Sequence, residues 1–205
     1  MVNRMNRGGR RAFIGVFAGG CLVAPRLLAA EAAGKVETSR GDCYAQNRAV
    51  RRTLGPDASV FIGDAVGTGP RSALAMRLGT ATQVKLGADA RLHIDRFLVN
   101  AGGVLVLDAG AMLYDHDAQA SPQDLSVRSP FGLIAVRDTR YFAGPSNGVF
   151  GVFVERGHAM VVGVNTAVIV SDGLGTDIAR PGAEPTAPRP WGAARIASAM
   201  ASVTP

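Results

Sequence analysis

From about residue 60 to residue 171 the chain alternates short apolar runs with breaks rich in glycine and aspartate. In the stretch 73–78, Leu74, Met76 and Leu78 fall on one face and Ala73, Ala75 and Arg77 on the other. Leu92 and Ile94 likewise oppose Arg91, His93 and Asp95. A period of two marks β-strands with one face in a core and one in water. The runs 104–107 (VLVL) and 167–170 (AVIV) are apolar at every position, which predicts strands buried between layers. Further strands are predicted at 60–62, 83–86, 111–114, 125–128, 149–154 and 158–162. Recurrence at about 8 to 12 residues predicts an all-β fold of about 10–13 short strands, a β-sandwich, a barrel or a short β-roll.

The stretch 132–144 is the centre of this pattern. It predicts an apolar strand, a turn at the polar break around Asp138, and a second strand carrying Tyr141 and Phe142. Pro130 lacks a ladder donor and holds Ser129 extended, so the first strand should begin just after it. Residues 35–54 suggest one or two leading strands with an exposed basic run. Beyond Asp172, Pro181, Pro185, Pro188 and Pro190 predict an extended segment over 172–190. Within it, Gly173-Leu174-Gly175-Thr176 reads as a glycine turn, with no lysine to make it a phosphate loop. From residue 191, Ile196, Met200 and Val203 recur at helical spacing and predict a short C-terminal helix, docked back with Trp191 as anchor.

Glycine supplies 26 of 205 residues and aromatics only 6%, so Val, Ile, Leu and Ala must build the core between tight turns. The formal charge of +6 resides mostly in the first 32 residues, which hold five arginines and one acid. The remaining 17 basic and 15 acidic residues form no dense cationic run with interleaved aromatics, which argues against a nucleic-acid partner. The leader itself has the grammar of an export signal. Arg10 and Arg11 precede Phe13 and an apolar segment of 13 residues (12–24), shorter than the roughly 20 a membrane helix needs. Ala30 and Ala32 then place small side chains where a signal peptidase reads. The segment resembles a twin-arginine signal, so the expectation is a leader over 1–32, a periplasmic protein, and no transmembrane helix in the mature chain. Cleavage there would leave Cys43 as the one mature cysteine, read as a small buried strand residue.

Candidate chemistry is sparse. Asp115-His116-Asp117 is the best metal candidate, but calcium wants six to eight oxygens and only Asp124 follows nearby, so a solvated loop is expected. His93 and His158 read as surface residues. No nucleophile elbow or zinc-ligand spacing is present, and no catalytic, cofactor or metal residue is assigned.

The ordered set Gly63-Asp64, Thr68-Gly69 and Ser72, then Ser129-Pro130, Gly132, Arg137, Thr139 and Phe142, then Gly157, resembles the FecR family of bacterial envelope proteins. Gly103 and Gly110 match its central glycine pair, and the likeness spans roughly residues 35–171. It departs from the family at Asp138, where a glycine is usual before the threonine. The resemblance implies a FecR-like β domain over 33–171, and the residue pattern adds the extended segment over 172–190 and the helix over 191–205. It implies a non-enzymatic, cofactor-free recognition module that binds an envelope protein or a cell-wall glycan. The alternatives are a regulator of envelope signalling working through a membrane partner, and a metal-dependent hydrolase built on Asp115, His116 and Asp117. Partner surfaces are expected on strand edges or on the charged faces around Arg77, Arg91 and Asp95.

Overall fold

A computed structural model describes residues 31–98, 102–117, 119–121 and 123–205. Among them, sixteen strands form a single sheet that curls over one core and is followed by one helix. The strands are β1 (Ala32–Arg40), β2 (Cys43–Asn47), β3 (Val50–Thr53), β4 (Ser59–Phe61), β5 (Ala65–Thr68), β6 (Ala73–Leu78), β7 (Thr82–Leu86) and β8 (Arg91–Leu98). They continue as β9 (Gly102–Ala109), β10 (Met112–His116), β11 (Asp124–Ser129), β12 (Gly132–Ser146), β13 (Val149–Val162), β14 (Ala167–Ser171), β15 (Leu174–Ile178) and β16 (Arg189–Pro190), and α1 is Ala193–Ser202. The main path runs β3-β2-β5-β8-β9-β11-β12-β10-β7-β6-β1-β4, with β13 added beside β12 and carrying both β14 and β15. The class is the expected one. The strand count exceeds the expected 10–13, chiefly through β1–β3, the four-residue β5 and the unforeseen β15 and β16.

The stretch 132–144 is not two strands joined by a turn. It lies in one strand of 15 residues, β12, whose first half pairs with β11 and whose second half pairs with β10. The polar break is a bend within that strand. Asp138 takes φ +51° opposite Gly157 at φ +88°, and the register with β13 shifts on either side of Arg140. Thr139 closes the bend from inside: its hydroxyl lies 2.8 Å from the Arg137 carbonyl and 2.9 Å from that of His158. One hairpin thereby belongs to both halves of the curl.

Alternation then decides burial. Val36, Met76, Val84, Tyr114, Tyr141 and Val154 stand opposite one another across six strands and are all sealed inside. Burial pushes the Tyr114 phenol up to about 12 and Tyr141 well above the usual range, so this row stays neutral into strong alkali. The two continuous apolar runs do not lie between layers. In 104–107 only Leu105 and Leu107 are buried, and in 167–170 Ile169 is 66% exposed. Among the described residues their outward faces meet no second layer, so the two-residue period wins over composition.

The span 172–190, expected to be extended throughout, carries β15. Gly173 does turn (φ +74°), but Gly175 and Thr176 are buried ladder residues paired with β13. Their small size is used from the other side. A Cβ on Gly175 would sit 2.3 Å from the Trp191 indole nitrogen, one on Gly151 2.6 Å from its ring, and one on Gly87 2.3 Å from the Ser202 carbonyl. At these three glycines the outer face is bare backbone, which lets the C-terminal segment lie down close to the sheet. There Trp191 packs on Phe153 (5.3 Å) and Phe142 (6.4 Å), and Ala199 and Val203 complete a second apolar cluster with Leu113.

Arg195 fixes this docking. Its guanidinium lies 3.5 Å over the indole and 2.6 Å from Asp177, with a further bond to the Ser146 hydroxyl at 2.9 Å. Burial pushes the Asp177 carboxyl up, but bonds and charge from Arg195 and Arg189 outweigh it and leave it below the ordinary 3.8. A carboxyl lowered on folding stabilises fully above its unfolded value and loses that contribution as pH falls through the lowered one. Docking of the C-terminal segment should therefore hold at neutral pH and weaken below about pH 4. Trp191 emission followed from pH 7 to pH 2 should move to the red in that window, and Asp177→Asn should abolish the pH dependence.

Candidate recognition surface

The register places a row of polar side chains across the outer face of the same half of the sheet. Arg77 on β6 stands opposite Gln83 on β7, Gln83 opposite Asp115 on β10, Asp115 opposite Arg140 on β12, and Arg140 opposite Arg156 on β13. Directly opposed side chains lie close enough to bond, and here they form a ladder. Glu37 accepts from Arg77 at 2.6 Å and from Gln83 at 2.5 Å. Asp115 accepts from Arg140 at 2.5 Å and Arg156 at 3.1 Å, and Glu155 accepts from Arg140 at 2.7 Å. Burial alone would make Arg140 easier to deprotonate, yet Glu155 and Asp115 more than offset it and keep the guanidinium charged. Arg77, Gln83, Asp115, Asp117, Gln119 and Arg156 enclose a polar groove of about 270 Å³. The side chains of Arg77 and Arg156 are about two-fifths exposed and present donors to whatever lies in it.

This geometry disposes of the Asp115-His116-Asp117 triplet as a ligand set and also corrects its reading as a loop. Asp115 and His116 end β10, so they point to opposite faces. Asp115 joins the ladder, whereas His116 turns inward, 2% exposed, 2.9 Å from the Thr82 hydroxyl and 3.1 Å from the Ser121 carbonyl. Asp117 is exposed and caps the Gln119 amide. The charged face around Arg91 is smaller: Asp108 lies 2.9 Å from His93 and 3.7 Å from Arg91, while Asp95 is exposed. His158 is exposed, as expected. Cys43 is buried with its thiol directed at the Ala73 and Arg40 carbonyls, and burial pushes its pKa up, which suits packing over reactivity.

Residues 64–160 match the protein family described as FecR protein. The chain carries a FecR domain. The match opens at Asp64, between β4 and β5, and closes at Met160 on β13, so it takes in the bent hairpin and every strand of the polar ladder except β1. Two crystal structures of a protein from Parabacteroides distasonis, described as an anti-sigma factor, share the fold. One aligns with TM-score 0.55 and the other with 0.54, both at 11% identity over 65% of this chain. The alignments span 63% and 62% of those chains, less than two thirds of their length. No curated protein sequence matches this chain.

The residues that carry the resemblance in sequence are mostly internal. Asp64 is buried between β4 and β5 and accepts from the Phe61 amide at 2.8 Å, from Asn47 at 3.3 Å and from Arg52. Thr68 ties the β5 end to the next turn, accepting from the Ala90 amide and donating to the Gly87 carbonyl. Ser72 accepts from the Asp42 amide beside Gly69, whose own amide donates to the Asp42 carbonyl. Ser129, with Pro130 beyond it, braces the β11–β12 turn through the Phe131 amide and the Gly132 carbonyl. Gly63 and Gly132 have positive φ, and a Cβ on Gly132 would meet the Val162 carbonyl at 2.4 Å. Thr139 and Gly157 form the bend, Phe142 lies under Trp191, and Arg137 is exposed near Asp124. The motif is therefore separate from the polar ladder, whose Glu37, Gln83, Arg140, Glu155 and Arg156 no sequence motif marks. Their outward parity is visible in each strand, but their mutual opposition depends on register.

Of the expected leader, Arg10, Arg11, Phe13 and Ala30 lie outside the described residues. Ala32 opens β1, and Ala33 beside it is buried. Among the described residues no helix is long and apolar enough to cross a membrane.

Proposed function

We propose that this protein is a non-enzymatic recognition module of envelope signal transduction, exported by the twin-arginine route and cleaved near Ala32. In the periplasm it binds another envelope protein or a cell-wall glycan through the polar ladder. The observation that carries this reading is a FecR domain whose motif residues are spent on holding the fold, while an unrelated row of charged side chains on the same domain opens into a groove. A ladder of paired charges on a rigid sheet selects partners by charge register and adds little raw affinity, which suits a regulator that must release as well as bind. The likeness to a protein described as an anti-sigma factor favours a regulator acting through a membrane partner as the second reading.

Cells producing the tagged full-length chain test both parts. The wild type should fractionate to the periplasm and retain an envelope component under mild extraction, and Arg77→Ala with Arg156→Ala should weaken that capture about tenfold. Arg10→Lys with Arg11→Lys should hold the chain in the cytoplasm. Capture that is indifferent to the double ladder variant, or export that is indifferent to the arginines, refutes the corresponding part.

A further inference from the structure

The sheet ends on an edge that no other strand among the described residues covers. β14 pairs only with β13, and its register is regular over five successive pairs, from His158 with Ser171 to Val162 with Ala167. The Gly163 amide bonds the Thr166 carbonyl, which sets the phase of the ladder. Val168 and Val170 therefore direct their backbone groups to β13, and Ala167, Ile169 and Ser171 direct theirs outward. Among the described residues no acceptor meets those three amides, although the hairpin tip just before them is satisfied by Glu184 on the Asn165 and Thr166 amides. The strand AVIVS also lacks the features that blunt an edge. By contrast, β3 at one end of the main path carries Arg51 and Arg52. β4 at the other end is three residues long, with its Ser59 carbonyl occupied by Arg52, and β16 is two residues ending in proline.

We propose that β14 pairs antiparallel with β14 of a second copy of this chain, about a two-fold axis through Ile169. The edge is self-complementary in that register. Ile169 meets its equivalent, Ala167 meets Ser171 twice, and about six backbone hydrogen bonds form. Charge allows it, because Asp172 and His158 at one end of the strand face uncharged Thr166 and Ala167 of the other copy. The side chains gain as well. Met160 stands opposite Ile169, and both are exposed (44% and 66%) on the outer face, so pairing extends an apolar row across the axis. The interface is small, which makes the dimer a dissociable one.

Sedimentation of the full-length chain from about 1 to 200 µM should show a monomer–dimer equilibrium. Over the same range the Ala167, Ile169 and Ser171 amides should gain protection from hydrogen exchange. Ile169→Lys and Ile169→Glu change an exposed side chain, and each should weaken self-association at least about tenfold by placing like charges on the axis. An equimolar mixture of the two should restore it to within about threefold. A chain that stays monomeric, edge amides indifferent to concentration, a dimer untouched by either charge, or a mixture that does not recover each overturns the proposal. A monomer that instead captures an extended apolar peptide at these amides overturns it in favour of a partner strand.

Discussion

Gly175→Val should expel Trp191 from the sheet. The new Cβ would fall 2.3 Å from the indole nitrogen and 2.5 Å from Cε2, and because the β15 backbone is held by its pairing with Phe153, it is the ring that must leave. Trp191 is the only tryptophan in the chain and is 6% exposed, so its emission should shift from a buried to a solvated position. With it go the Arg195 stack, the Arg195–Asp177 pair and the contacts of Ala199 and Val203. The loss should be about 3–5 kcal/mol of docking free energy, the usual cost of removing a buried tryptophan. It should be local, because the displaced cluster is distinct from the core inside the curl. Limited proteolysis should cut near Arg195 in the variant and spare the sheet. Trp191→Ala, which removes the ring without a clash, should give the same cleavage. Unchanged emission in Gly175→Val would show that the C-terminal segment is held by other means.

Asp64→Ala should cost the whole domain about 3 kcal/mol in urea unfolding, with Asp64→Asn losing about half of that. The carboxylate is 1% exposed and is the acceptor for the Phe61 amide, Asn47 and Arg52. Removing it strands these donors from three different parts of the sheet. Arg52 moderates the penalty, since its side chain is about one-third exposed and also bonds the Ser59 carbonyl at 2.7 Å. The effect should be global, unlike that of Gly175→Val, because Asp64 also passes the chain between β4, β5 and β8 through its own amide and carbonyl. A substitution within about 0.5 kcal/mol of the parent would remove Asp64 as the lock of that end.

The Asp138 position shows how a local departure is accommodated. A non-glycine residue at φ +51° costs about 1 kcal/mol against glycine. The aspartate returns a similar amount by accepting the Gln123 amide at 3.1 Å. The bend thus forms with an aspartate at a position that favours glycine.

Much of this protein was legible along the chain because a strand reports its two faces at every second residue. Leu74, Met76 and Leu78 point inward for that reason alone, and Gly63, Gly132 and Gly157 mark sites where a side chain cannot follow the backbone. What adjacency in sequence cannot carry is which strand lies beside which. Register lined up Arg77, Gln83, Asp115, Arg140 and Arg156 from five strands, and it turned His116 away from Asp115. The same limit explains the misread ends of the chain. Gly175 looked like a turn because the ring it makes room for lies 16 residues later, and the AVIV run looked like core because only tertiary pairing shows that Ile169 faces outward and is exposed. Local steric and solvation preferences act within a few residues and set the elements. The long-range pairings that assemble surfaces are decided when the sheet closes.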